Sequence, residues 1–420
     1  MPKTHVTIQE ESFLINGQLS YTEIVDSNPA AHGLLMNARF IQGIFDDKAE
    51  PSRFARFGKG HFDPLENTHN LIKALPQWYA HGLRAFTVGF QGGGPCFTIN
   101  NATIENNPFG DDGTELDPAY AERMDALIKA ADALGMVVIV SYLYSGQEQR
   151  LRDGKAIRNA VRTASNFLKD GGYTNVLVEV ANEHNAFNKN VHPMLKSVEG
   201  AAALIDLARQ ESGGLLVGCS ALGGYAFREV GEASDFILIH GNKCSRQQYY
   251  NLIQEVKSWD LQKPIICNED SQAVGKIDVS VKAGVSWGYY NNWTTQEPPT
   301  DWSITAGEDH FFARRLAEVI GISLPLLPEE ECYYLQGLEP HATYEGKRWI
   351  RLAGLYPETI DYVDFFRNGE LLYTAYEEAF SLYHISNWRQ GPYVVQPDDK
   401  EWTARVHLIN GDVIEKSVQV

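Results

Sequence analysis

The chain is poor in cysteine and in positive charge and contains no long apolar run, and each shortage removes a class of protein. Five cysteines stand among 420 residues, an odd number without short paired spacing. Neither a disulfide scaffold nor a cysteine-based zinc site is expected, and the thiols read as reduced. Lys and Arg number 36 against 54 Asp and Glu, a formal charge of -18 that repels a phosphate backbone, so nucleic acid is not an expected partner. No stretch approaches the roughly 18 to 20 apolar residues that cross a bilayer, which argues against a membrane partner. The start Met1-Pro-Lys-Thr-His lacks the apolar centre of an export signal. The expected location is therefore the cytoplasm, or the periplasm or exterior if such a signal precedes this stretch; oligomeric state leaves no mark in the sequence.

Apolar residues make up 44% of the chain and charged ones 21%, ordinary values for a folded protein. The length suits one large domain and one small one. Two β-prone runs flank Asn16-Gly17, the pair that favours a type I′ turn, so a hairpin should open the chain. Strand-like and helical patterns then alternate. Strands are expected at 40–45, 85–90, 136–142, 176–181, 215–219, 236–240, 264–268 and 284–289. Helices are expected at 66–80, 118–134, 156–169, 193–209, 246–259 and 308–320, with shorter ones at 226–232 and 277–282. Eight such units, with continuous apolar strands covered on both faces, predict an α/β fold of the (β/α)₈ TIM-barrel type rather than an open sheet.

Beyond residue 328 the pattern changes to short alternating strands, with Asn368-Gly369 and Asn410-Gly411 as turn signals. Residues 1–328 are thus read as barrel plus hairpin, and 329–420 as an all-β sandwich. The polar stretch 91–117, with Gly92-Gly93-Gly94, is expected to arch over the mouth of the barrel as a substrate loop. It is no phosphate loop, because the following Lys-Ser/Thr is missing.

Active sites of such barrels lie at the C-terminal ends of the strands. Glu183 follows strand 4 and Glu269 ends strand 7, so the two face each other across the lumen. Retaining cleavage of a glycosidic bond needs such a pair of carboxyl groups about 5 to 5.5 Å apart, one to protonate the leaving oxygen and one to attack the anomeric carbon. The alternative for each glutamate alone is a helix cap or a loop ion pair.

Asn182-Glu183 and Glu269 in these settings resemble clan A of the glycoside hydrolases, particularly family 5 and its relatives, over about residues 33 to 322. The resemblance implies that Glu183 is the acid/base, Glu269 the nucleophile, and Asn182 a ligand of the sugar 2-hydroxyl. Trp287, in Val285-Ser-Trp-Gly-Tyr-Tyr, is similar to the aromatic platform of the clan, and His240 to its strand-6 histidine. Two positions depart from the pattern. The strand-2 arginine is replaced by Thr87, with Arg84 too early, so Arg39 on strand 1 is expected to take over. Asn242 stands where the clan has tyrosine, leaving the hydrogen bond to the nucleophile absent or supplied from elsewhere.

Tyr142, Tyr144, Trp293, Trp302, Phe90 and Gln91 are further candidates to contact sugar at the mouth, each with core packing as its alternative. Lys243 and Arg39 suit an acidic sugar or internal ion pairs. Asp46-Asp47 with Glu183, His184 and His240 was the one conceivable metal group; without a His-x-His pair no metal and no cofactor is expected. The C-terminal stretch around 363–374 and 402–406 resembles a bacterial immunoglobulin-like module, whose simplest role is to brace the barrel. The expected function is retaining hydrolysis of a β-linked oligo- or polysaccharide. The alternatives are a non-catalytic carbohydrate-binding protein and a metal-dependent barrel hydrolase.

Overall fold

The computed structural model describes residues 2–54, 62–92, 94–297 and 300–420; Gly93 of the 91–117 loop lies outside the described residues. The opening hairpin forms at Asn16-Gly17, whose φ values of 53° and 79° are both left-handed, as a type I′ turn demands. Val6–Gln9 adds a third antiparallel strand to Ser12–Ile15 and Gln18–Leu19.

Eight parallel strands then alternate with helices. The first five, Asn37–Arg39, Ala85–Gly89, Val137–Tyr144, Val176–Asn182 and Leu216–Gly218, share a six-stranded sheet with the eighth, Gly288–Tyr289, which sits beside the first. The sixth and seventh, Ile237–His240 and Ile265–Glu269, pair with each other. Two local contacts join the sheets. Ser286, just before the eighth strand, accepts from Cys267 N–H at 2.8 Å and donates to Ile265 C=O at 3.1 Å, while Asp235 N–H donates to Val217 C=O at 2.8 Å beside the sixth strand.

Helix starts follow from chemistry in the sequence. Asp63, Asp117 and Asp153 accept first-turn N–H groups of Pro64–Ala80, Pro118–Leu134 and Gly154–Gly171, and the first two helices begin with proline. Three expectations need correction. The first strand is Asn37–Arg39 rather than 40–45, because the chain turns at Phe40–Gly43 and buries Phe40, Ile44 and Phe45 from a loop. An apolar run alone does not separate a buried loop from a buried strand. The helix expected at 193–209 is two, Pro193–Lys196 and Val198–Glu211, broken at extended Ser197, whose hydroxyl caps the second by accepting Gly200 N–H at 3.0 Å. The eighth strand is only two residues long.

Alternation along the strands separates two apolar layers. Val138, Val140, Val176 and Val178 face the helices in the large core, whereas Ala85, Ile139, Leu177, Leu238 and Ile266 meet in a smaller cluster with Val6 and Phe13 of the hairpin. Residues of the second, third, fourth, sixth and seventh strands thus converge on one point, with the hairpin beneath them.

From Tyr333 onward the elements are antiparallel strands and short 3-10 turns. Ile360–Arg367 and Glu401–Leu408 lie at the centre of a four-stranded sheet, and Trp402, Ala404 and Val406 alternate into a separate core with Val363 and Phe365. A buried ion pair, Arg351 to Glu308 at 2.8 Å, ties this region to the helix Glu308–Ile320. Among the described residues no helix is long and apolar enough to cross a membrane.

Phe312 on that helix stacks on Tyr289, ring centres 4.2 Å apart, and meets Trp287 edge-on at 5.8 Å, fully buried. Phe312→Ala is expected to lower stability by about 3–5 kcal/mol in urea titration. A change well below 1 kcal/mol would show that this layer is not close-packed.

Candidate active site

Above the small apolar cluster, the next inward positions of the same strands are polar. Two residues on from Leu177 comes Glu179, from Leu238 His240, from Ile266 Asn268, and from Asn37 Arg39; all four are fully or almost fully buried. The period of two that builds the core beneath therefore stacks a layer of charge directly on top of it.

Arg39 is the centre of that layer. Its Nε lies 2.9 Å from Glu269 Oε2, its Nη1 3.8 Å from Glu179 Oε2, and its Nη2 donates to Asn182 Oδ1 at 2.9 Å. Strand register sets Arg39 beside Thr87, so the cation absent from strand 2 stands one strand over at the same level. Arg84 points elsewhere, pairing with Glu23 at 3.0 Å and lying over Tyr79. Glu179 also accepts from Ser220 Oγ at 2.6 Å and Asn268 Nδ2 at 3.1 Å. Burial pushes the Glu179 carboxyl up, but His240, Arg39 and Ser220 together outweigh it and hold the group down at about 2.

Glu269 and Glu183 both reach the site through irregular backbone. A register shift between Cys267 and Glu269 sets Glu269 opposite His240, so it joins Asn268 on the inner side instead of alternating away. Glu183 follows strand 4 in the left-handed region, φ 52°, its N–H held by Ser220 Oγ at 2.9 Å. His240 Nδ1 lies 3.0 Å from Glu183 Oε1 and 3.8 Å from Glu269 Oε2. Asn242 Nδ2 donates to Glu269 Oε1 at 2.8 Å. The hydrogen bond to Glu269 is thus supplied by the asparagine in the tyrosine position itself.

Burial alone lowers the His240 imidazole, yet Glu269, Glu179 and Glu183 reverse this and raise it to about 10. Burial also raises Glu269; Arg39 and His240 pull it back, while Glu183 and Glu179 push the same way as burial. Burial and the neighbouring carboxylates prevail, so the Glu269 carboxyl stands above its ordinary value. One oxygen of Glu183, one nitrogen of His240 and one oxygen of Glu269 all lie within 4.8 Å of one another.

These groups stand at a cavity of about 510 Å³, lined by Glu183, Glu269, Asn242, Tyr144 and Tyr290. The 91–117 loop contributes Pro95, Cys96 and Asn101, anchored where Cys96 and Phe97 N–H donate to Glu297 Oε1 at 2.8 and 2.7 Å. Several expected contacts fall elsewhere. Trp287 is fully buried against Phe312 and donates to Asp270 Oδ2 at 2.8 Å, so it is core; Tyr290, three residues on, lines the cavity instead. Tyr142 is buried beside Ser165 and Phe90, and Tyr144 takes the exposed side of the strand end. Gln91 is buried, accepting Tyr144 N–H at 3.0 Å and donating to Asn107 at 3.0 Å, and so braces the strand end. Trp293 packs on Trp349 at 5.2 Å beside a different cavity, and Trp302 lies in the core against Phe40. Asn182, His240 and Arg39 stand beside the carboxylates.

Glu179, Ser220, Tyr290 and Trp388 were not singled out from sequence. Glu179 had a signal: a lone charge inside Val176-Leu-Val-Glu-Val-Ala. Of the metal group considered, Asp47 is held by Arg53 and by Ala49 and Glu105 N–H groups, and His184 packs on Phe227 with its ring lowered by burial to about 4. The side chains that do converge are Glu183, His240 and Glu269.

No family profile matches this sequence, and no curated protein does. Solved structures do resemble it. A provisionally named glycoside hydrolase from Bacteroides vulgatus ATCC 8482 aligns with a TM-score of 0.50 at 11% identity, over 100% of this chain and 80% of that one. A β-1,4-D-mannanase from Cryptopygus antarcticus gives 0.49 at 12% identity, over 75% and 94%. The β-glucuronidase 2 of Bacteroides uniformis, as a calcium-binding mutant, gives 0.45 at 10%, over 98% of this chain but 46% of that one, so the chain spans about half its length. At such identities the likeness is one of fold.

His240, raised from 6.5 to about 10, stabilises the fold fully below 6.5, and that stabilisation is lost as pH rises through 10. Glu179, lowered from 4.5 to about 2, stabilises it above 4.5, lost as pH falls through 2. The two contributions overlap fully between these limits, from 4.5 to 6.5. ¹⁵N NMR of the His240 ring at about pH 8 is expected to show an imidazolium; a neutral ring would contradict the charge assignment.

Proposed function

We propose that the chain is a retaining glycoside hydrolase acting on a β-linked oligo- or polysaccharide. The proposed architecture is a closed (β/α)₈ barrel, residues 1–328 with the hairpin, followed by an immunoglobulin-like sandwich at 329–420. The inward cluster fed by non-adjacent strands and the bonds at Ser286 and Val217 support closure. The observation that carries the function is the carboxyl pair: oxygens of Glu183 and Glu269 within 4.8 Å at a cavity large enough for a sugar. Inverting enzymes need about 6.5–9.5 Å between the groups to admit water, whereas retaining ones need about 5–5.5 Å.

Glu269 is the nucleophile; Arg39 and the Asn242 amide favour its ionised form against the burial that raises it. Glu183 is the acid/base and is the more exposed of the two side chains, 15% against 9%, as an acid meeting the leaving group must be. In the first step a Glu269 oxygen bonds the anomeric carbon, the bond to the leaving oxygen breaks, and the Glu183 proton passes to that oxygen. Glu183 is then a carboxylate facing the His240 imidazolium, which favours proton departure. In the second step water gives its proton to Glu183, its oxygen bonds the anomeric carbon, and Glu269 leaves.

A second reading, metal-dependent hydrolysis, is favoured only by the convergence of Glu183, His240 and Glu269. Arg39 and Asn242 already engage both oxygens of Glu269, which makes it a poor ligand.

Turnover of a panel of aryl β-glycosides is expected, insensitive to chelator, with ¹H NMR showing the β-anomer first. Glu183→Gln should reduce the rate on poor leaving groups by about 10²–10⁴-fold, and Glu269→Gln should lose at least as much. An α-anomer formed first would rule out retention, and chelator-sensitive turnover would favour the metal reading. Sugar binding without turnover of any glycoside would leave a carbohydrate-binding protein.

A further inference from the structure

The segment 384–390 belongs by sequence to the C-terminal β region, yet it stands at the proposed active site. Its two short strands, His384–Ser386 and Arg389–Gln390, form a hairpin with Asn387 and Trp388 at the tip. Asn387 is buried and grips the loop after strand 6 twice, accepting Lys243 N–H at 2.7 Å and donating to Cys244 C=O at 3.0 Å. Lys243 is held there in the left-handed region, φ 69°, which non-glycine residues seldom occupy. The residue before it, Asn242, is the donor to Glu269. The hairpin is thus connected to the nucleophile through one asparagine and one strained turn.

Lys243, Trp388 and Arg389 line the same cavity as Glu183 and Glu269. Their charges are not balanced by the acids around them. The cavity is lined by three carboxylates, and each already faces a cation: Glu269 meets Arg39, Glu183 meets His240, and Asp270 meets Lys276 at 2.7 Å. Lys243 and Arg389 are both exposed, and among the described residues neither takes part in an ion pair. In a chain with a formal charge of -18, two unpaired cations at one cavity mouth mark a place where negative charge is received. The Arg389 guanidinium lies 5.9 Å from the centre of the Trp388 ring, and the indole N–H of Trp388 is buried without a hydrogen-bond partner among the described residues. The Trp388 indole and two cations at one cavity form one set of contacts.

We propose that Lys243, Trp388 and Arg389 form a subsite for an anionic sugar, so that the C-terminal region completes the substrate cavity of the barrel. The shared chemistry is a sugar bearing a carboxylate or a sulfate ester. The inference rests on the glycosidase reading for the nature of the ligand, but it concerns binding and is testable apart from turnover.

Calorimetry on Glu183→Gln protein compares three β-linked trisaccharides: neutral hexose, its hexuronic-acid counterpart, and an O-sulfated form. At least tenfold tighter binding of an anionic ligand is expected, and which of the two gains identifies the group. Added to that background, Lys243→Ala and Arg389→Ala should each cut the anionic-to-neutral affinity ratio at least fivefold, with Arg389→Lys restoring part of it. Lys129→Ala, which removes a distant surface cation, should leave the ratio unchanged. Both mutated side chains are exposed, so an unchanged unfolding temperature checks the fold. Equal binding of all three ligands, or a preference that survives both substitutions, overturns the subsite. If neutral and anionic aryl glycosides are hydrolysed equally well and the ligands bind equally, the subsite fails while the hydrolase stands. If nothing is hydrolysed but Arg389-dependent anionic binding persists, the hydrolase fails while the subsite stands.

Discussion

Arg39 touches Glu269, Glu179 and Asn182 from a position with almost no solvent exposure, and three strands are held in one arrangement by that contact. Charge in such a setting is expensive unless every member is matched, and removing one partner of a buried pair typically costs about 3–5 kcal/mol. Strand 1 brings the guanidinium, strand 4 brings Glu179 and Asn182, and strand 7 brings Glu269. With His240 as imidazolium, two cations face Glu179, Glu269 and Glu183, so the layer is close to neutral when one carboxyl is protonated.

Regular backbone does not deliver these side chains. Strict alternation would send Asn182 and Glu183, or Asn268 and Glu269, to opposite faces. The register shift before Glu269 and the left-handed turn at Glu183 place both members of each pair at the site. Lys243 repeats the device on the strand-6 loop. Glu183 and Lys243 are among several left-handed non-glycine residues of the chain, and at the candidate site Ser220 and Asn387 hold their N–H groups.

The C-terminal region has its own apolar core but is not simply appended. Arg351 enters a buried polar group with Glu308, and Asn387 clamps the loop that carries Asn242.

Much was legible in the sequence: the alternation of strand and helix, the Asn16-Gly17 turn, the switch to antiparallel strands after residue 328, and the positions of Glu183 and Glu269 at strand ends. These follow from periodicity and turn chemistry, which act over a few residues. Arg39 was legible as a replacement for the missing strand-2 cation; Asn242 was instead read as leaving the hydrogen bond to Glu269 absent or supplied from elsewhere, and only the structure makes it the donor. What tertiary structure alone decided is which residues meet: Glu179 beneath the pair, Tyr290 at the cavity in place of Trp287, and Trp388 and Arg389 arriving from more than a hundred residues downstream of Glu269. An aromatic side chain at a strand end has the same local pattern whether it faces a cavity or packs into the core. Only the packing of distant segments sets which of the two it does, and that information is not carried by neighbours in the chain.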